Sequence, residues 1–161
     1  MEEFEVLREN AKKKISLADH MLTMTYPLVR DTKLLLVVLE NVFLAMTNAM
    51  GSILYYERFY KHIPPFTDNF ENKFQLFKEK CAEKYNVNEV YLKLLRELKE
   101  LIVQHRKSPV EFVRKDRFVI CSENYNLKTI GVDQIKVYIA KAKDFIQLTN
   151  FIVSKNEGIL R

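Results

Sequence analysis

Apolar side chains recur at every third or fourth position along most of this 161-residue chain, the spacing that gathers them on one face of an α-helix. Phe4, Leu7, Ala11, Ile15, Ala18 and Leu22 form such a stripe and predict a first helix over residues 2–23, with Lys12, Lys13 and Lys14 on its solvated side. Tyr26-Pro27 ends this helix, because proline disfavours helical geometry in the residue before it. A third helix carries the stripe Phe70, Phe74, Phe77, Cys81 and Tyr85, and Asp68 with Glu71 stands at capping-box spacing at its start. A fourth, over 88–107, turns Tyr91, Leu94, Leu95, Leu98, Leu101, Ile102 and His105 inward and its charged residues outward. The last helix starts after Gly131 and keeps the same spacing from Ile135 to Val153.

The second helix, from Asp31 as N-cap to about His62, differs from the others because it is apolar nearly all round. Residues 34–56 are long enough to cross a bilayer. Glu40, Asn41, Thr47 and Asn48 interrupt them, however, and no second hydrophobic span follows. A bundle's central helix has the same character, so the reading is a buried helix and no membrane. Glu40, the one acid inside the apolar run, is given a hydrogen-bonded structural role. The helix's least apolar line passes through Asn41, Ala45, Asn48 and Ser52, where small side chains admit another backbone from this chain or from a second copy. That line is the candidate homodimer interface.

Between the fourth and last helices the period changes. Ser108-Pro109-Val110-Glu111 reads as a fresh helix start of a turn or two, with Ser at N-cap, Pro at N1 and Glu at N3. Residues 118–121 and 127–130 then read as short strands flanking a polar loop, a β-hairpin that must lie on the helices to persist. The predicted fold is therefore all-α: a single domain over 1–161, an antiparallel bundle of about five helices with a small β-hairpin between residues 108 and 131. Three Gly and four Pro agree with a chain that needs few turns.

Charge is unevenly distributed. Residues 1–95 carry 13 Lys+Arg and 13 Asp+Glu, whereas residues 96–161 carry 13 and 8, so the second part holds the whole net charge of +5. Arg106, Lys107, Arg114, Lys115 and Arg117 cluster there, interleaved with Phe112 and Phe118, in the style of nucleic-acid contact surfaces. Glu111 and Asp116 dilute the cluster, and a binding face requires them to turn away. Two cysteines and three scattered histidines offer no recognised metal spacing, so neither a metal nor a cofactor is expected. Cys81 reads as a small core residue, and the start of the chain lacks a leader pattern, which places the protein in the cytoplasm with reduced thiols.

Arg58 and His62, one turn apart at a helix end, have the residue types to bind and cleave a phosphodiester, the cation stabilising charge while the imidazole moves protons. His105, near a helix C-terminus on an apolar stripe, reads as a satisfied structural histidine, and His20 has no companion. With glycines only at 51, 131 and 158, no phosphate-cradling glycine loop can be built.

The bundle pattern with one long apolar central helix resembles the HEPN superfamily, and the string "HRKSPVEFVRKDRFVICS" resembles segments of uncharacterised archaeal proteins. The resemblance implies a small helical domain, commonly dimeric, associated in some members with RNA cleavage. Catalytic members carry Arg, four to six residues, then His; here three residues separate Arg58 from His62, and eight separate Arg96 from His105. The leading expectation is a non-catalytic interaction protein that forms a homodimer and contacts RNA or another protein through its basic cluster. The rival is a metal-independent ribonuclease using Arg58 and His62.

Overall fold

The computed structural model describes the backbone of residues 1–107, 111–114, 117–121 and 127–154, and the side chains of 1–105 and 129–154. α1 (Glu3–His20) opens with the Glu5 carboxylate accepting from the Glu2 backbone N–H at 3.2 Å. Tyr26-Pro27 does not end the helical path. Met21–Thr25 widens into a π turn, in which the Tyr26 N–H reaches back to the Met21 carbonyl, and α2 (Tyr26–Val29) carries on from it. The wider turn moves the carbonyl that the Pro27 ring would strike in an α-helix, so the proline is passed without a break. The reversal comes at Arg30, whose φ of 52° is left-handed.

α3 (Lys33–Phe59) begins where the Asp31 carboxylate accepts from the Lys33 N–H at 3.0 Å, which gives Asp31 the capping role its position suggests. Among the described residues it buries more side chains than any other element. It is long and apolar enough to cross a membrane, and 56% of its most apolar stretch is buried within the fold. Glu40 is exposed on it rather than hydrogen-bonded in the interior; Glu57 is the buried acid.

α4 (Phe70–Leu76) is capped one residue later than Asp68. The Asn69 side chain accepts from the Asn72 N–H at 2.9 Å, while Asp68 pairs with Lys73 and Glu71 with Arg96, both at 2.8 Å. A second π turn, Phe77–Cys81, follows and is closed by the Ala82 N–H on the Phe77 carbonyl at 2.9 Å. Phe74, Phe77 and Cys81, spaced three and four, all reach the core. α5 (Glu89–Lys107) and α6 (Val132–Ser154) complete the helices, and every residue expected inward on α6, from Ile135 to Val153, is buried.

Side-chain contacts fix the directions. Phe4 lies by Ser52 and Met21 by Asn41, so α1 and α3 are antiparallel. Lys99 lies over Phe43 while His105 shares a recess with Leu36 and Leu39, and Tyr91 and Glu97 meet Phe145 and Tyr138, so α5 opposes both α3 and α6. The result is an all-α bundle. Phe77, Tyr91 and Phe145 pack in its centre, with ring centroids 6.1 and 5.4 Å from Phe145.

The expected hairpin is one half of a three-stranded antiparallel sheet, β1 (Glu111–Arg114), β2 (Arg117–Cys121) and β3 (Leu127–Gly131), in that order. The helix start expected at Ser108-Pro109-Val110-Glu111 is corrected by β1: residues 108–110 lie outside the described residues, and Glu111 is already extended and paired with Ile120. A local capping signal loses here to a ladder that satisfies the same backbone groups across strands. β3 runs directly into α6, which ties the sheet to the bundle.

Candidate nucleic-acid interface

Arg58 and His62 belong to one helix end but are not brought together. α3 stops at Phe59, Lys61 adopts a left-handed φ of 60°, and the His62 N–H closes on the Glu57 carbonyl at 2.8 Å. This is a helix-ending reversal and not a further helical turn, so the spacing that would align the two side chains is lost. The Arg58 guanidinium sits 5.8 and 5.6 Å from the ring centroids of Tyr55 and Phe66. His62 turns to Glu57, with Nδ1 3.0 Å from Oε2.

Glu57 organises this end of the bundle. Its side chain is 1% exposed, and its oxygens accept from Lys84 Nζ at 2.8 and 3.0 Å and from the Tyr85 hydroxyl. A carboxylate only accepts, so His62 presents its Nδ1 as a donor. Burial, then the hydrogen bond to Glu57 and its charge, push the Tyr85 phenol well above its ordinary range. Burial also pushes the Cys81 thiol up to about 12, helped by the Glu57 charge and opposed by Lys84. That leaves Cys81 a protonated core side chain, as its stripe position suggests. The group ties the end of α3 to the segment before α5, and its polar atoms satisfy one another.

Glu57 was missed in the sequence although a signal existed. It continues Met50, Ile53 and Leu54 at helical spacing, an acid on a core stripe. Its partners Lys84 and Tyr85 are more than 25 residues away and leave no local trace. A second tie joins α5 to α6: Tyr138 donates to Glu97 at 2.6 Å and accepts from Gln134 at 2.6 Å, and burial raises the Tyr138 phenol.

The candidate dimer line lies inside the chain. Asn41, Ala45 and Ser52 are buried and Asn48 is half-buried. Ser52 Oγ donates to the Phe4 carbonyl of α1 at 2.6 Å, and Asn41 Nδ2 donates to the Val37 carbonyl at 2.9 Å with Met21 Sδ 3.9 Å away. The backbone admitted by these small residues is α1. A second copy could use this line only by displacing α1, so it is not available as a homodimer face.

The opposite end of the bundle is open among the described residues. A cleft of about 770 Å³ lies between the π turn with α2 on one side and the β3–α6 junction on the other. Arg30 stands on the first wall and Lys136 on the second, with Thr23, Thr129, Asp133 and Gln134 between them. The basic segment reaches the same place through the sheet. Arg114 pairs in register with Arg117, and Arg117 pairs on its other side with Gly131, which lines the cleft. Glu111 stands three residues away, at the far end of β1 opposite Ile120, roughly 10 Å along the strand. Register therefore separates this acid from the Arg114–Arg117 pair. Arg106 and Lys107 end α5; Lys115 and Asp116 lie outside the described residues.

Among the described residues no three His, Cys, Asp or Glu side chains converge as metal ligands. His105 borders a small apolar recess with Leu36, Leu39, Glu40 and Leu101, and His20 is exposed at the end of α1. No family model matches the chain, and no curated protein matches its sequence.

Proposed function

We propose that this protein is a non-catalytic interaction protein that binds RNA at the open end of its bundle. The observation that carries the reading is the sheet register, which sets Arg114 beside Arg117 and carries that row to Gly131 at the mouth of a cleft holding Arg30 and Lys136. A polyanion bound along such a basic row releases its own counterions, which favours binding. At the other end of the molecule Arg58 and His62 face different partners, which favours the non-catalytic reading over a ribonuclease.

Salt-dependent RNA binding tests the proposal. Affinity should fall as salt rises. Replacing Arg114, Lys115 and Arg117 together by Ala should weaken binding and flatten that dependence, by about one unit of slope for each phosphate no longer neutralised. RNA should be recovered intact with chelator present. A folded triple variant with an unaltered slope would end the proposal, and cleavage abolished by His62→Ala would replace it with the catalytic alternative.

A further inference from the structure

We infer that the cleft between α2 and the start of α6 is a mononucleotide pocket, which takes one phosphate-bearing nucleotide of a single-stranded RNA while the strand continues past the Arg114–Arg117 row. This rests on the RNA reading and adds to it the unit recognised. The cleft's volume of about 770 Å³ falls among those of small-ligand sites, roughly 300–1,000 Å³. That is far more space than a bare phosphate contact requires.

The lining matches the parts of a nucleotide. Pro27, exposed and backed by the buried Leu22 and Tyr26, supplies apolar surface for the flat face of a base. Thr23, Thr129 and Gln134 supply uncharged donors and acceptors for a base edge. Arg30 and Lys136, from opposite walls, supply two positive charges for one phosphate. Asp133 supplies an acceptor for ribose hydroxyls and sets a limit on how much negative charge the pocket tolerates. A duplex, whose bases are stacked and paired, cannot place a base against Pro27 inside the cleft, so the class is single-stranded.

The chain carries a convenient reporter. It has only three glycines; Gly131 lines the cleft, whereas Gly51 is buried on α3 against Leu7 of α1. Titrating adenosine monophosphate into the ¹⁵N-labelled full chain should move the Gly131 amide resonance saturably and leave Gly51 in place. Lys136→Glu and Arg30→Gly, the latter compatible with the left-handed backbone at that position, should each weaken the response about tenfold or more. The Arg114, Lys115 and Arg117 triple variant should keep it. Salt-sensitive RNA binding with no Gly131 response to the mononucleotide would overturn the pocket and leave the RNA reading standing. A mononucleotide response in a protein that binds no RNA would do the reverse. An equal response to inorganic phosphate, or one unaltered in both cation variants, would also overturn the pocket.

Discussion

The two ends of α3 handle charge in opposite ways. At its C-terminal end a carboxylate with 1% exposure is enclosed by an ammonium, a phenol and an imidazole, and the group serves the fold. At its N-terminal end Arg30 and Lys136 stand on opposite walls of an open cleft, and Leu28 beside them is 87% exposed. Charge that is enclosed and matched holds segments together, whereas charge set around a cleft can be reached by a ligand. The same chemistry therefore has different consequences according to what encloses it. Substitutions at the closed end should act on stability and those at the open end on binding.

The sharpest contrast compares the bundle centre with the open tip. Phe145→Ala removes a fully buried ring that packs against Phe77 and Tyr91, and should cost roughly 3–5 kcal/mol in chemical denaturation. Leu28→Ala removes a side chain already in solvent and should stay within about 0.5 kcal/mol of the parent. Comparable losses at the two sites would show that the tip is covered and that the two ends do not differ as described.

A smaller effect probes the closed end itself. Lys84→Met leaves the Glu57 carboxylate buried without its ammonium and should cost about 1–3 kcal/mol, less than a fully buried pair because Lys84 is 44% exposed. Adding Glu57→Gln removes the stranded charge and should recover most of the loss, which a double-mutant cycle measures as coupling. Additive losses would mean that the two side chains contribute independently and that Glu57 is no organiser.

Helical spacing is local, so the stripes of α1, α5 and α6 and the central place of α3 were legible from sequence. What escaped depends on distant pairing. Glu57 escaped the sequence reading because Lys84 and Tyr85, which make its burial tolerable, belong to another segment. The Asn41–Ser52 line correctly indicated a close helix neighbour, but periodicity cannot distinguish α1 from a second copy. At Pro27 and Glu111 local rules were overruled, by a π turn in one case and by a strand ladder in the other. That Arg114 stands opposite Arg117 follows from the pairing of β1 with β2, and the local signal at Ser108-Pro109-Val110-Glu111 pointed to a helix start there instead of a strand.

Stability should fall on the alkaline side. An unfolded Cys81 releases its proton near its ordinary value of 9.0, whereas the folded thiol holds it until about 12. Between those values unfolding releases a proton, so stability is fully present below about pH 9 and falls as pH rises toward 12. Tyr85 and Tyr138, also raised, contribute with the same sign. Cys81→Ala should flatten the alkaline slope of a denaturation series. In a Cys121→Ser background the native thiol should stay silent to disulfide reagents at pH 8 and react on unfolding. A native thiol that reacts readily would show that the closed end opens.

The smallest effect concerns the α1–α3 contact that supports that end. Gly51 lies within α3, where glycine is less favourable than alanine by roughly 0.5–1 kcal/mol because the unfolded chain has more freedom to lose. A Cβ at this position would stand 3.3 Å from Leu7 Cδ1. That atom is the free end of a half-buried side chain and can shift by a few tenths of an ångström, so crowding offsets only part of the gain. Gly51→Ala should therefore raise stability by about half a kcal/mol. Gly51→Val pushes further methyl groups toward α1, where no such small movement suffices, and should lose about 1–3 kcal/mol. Both follow from thermal or denaturant midpoints, and the pair is informative because the two variants have opposite signs. If Gly51→Ala also destabilises, Leu7 has no room to yield, and the α1–α3 contact is tightly set.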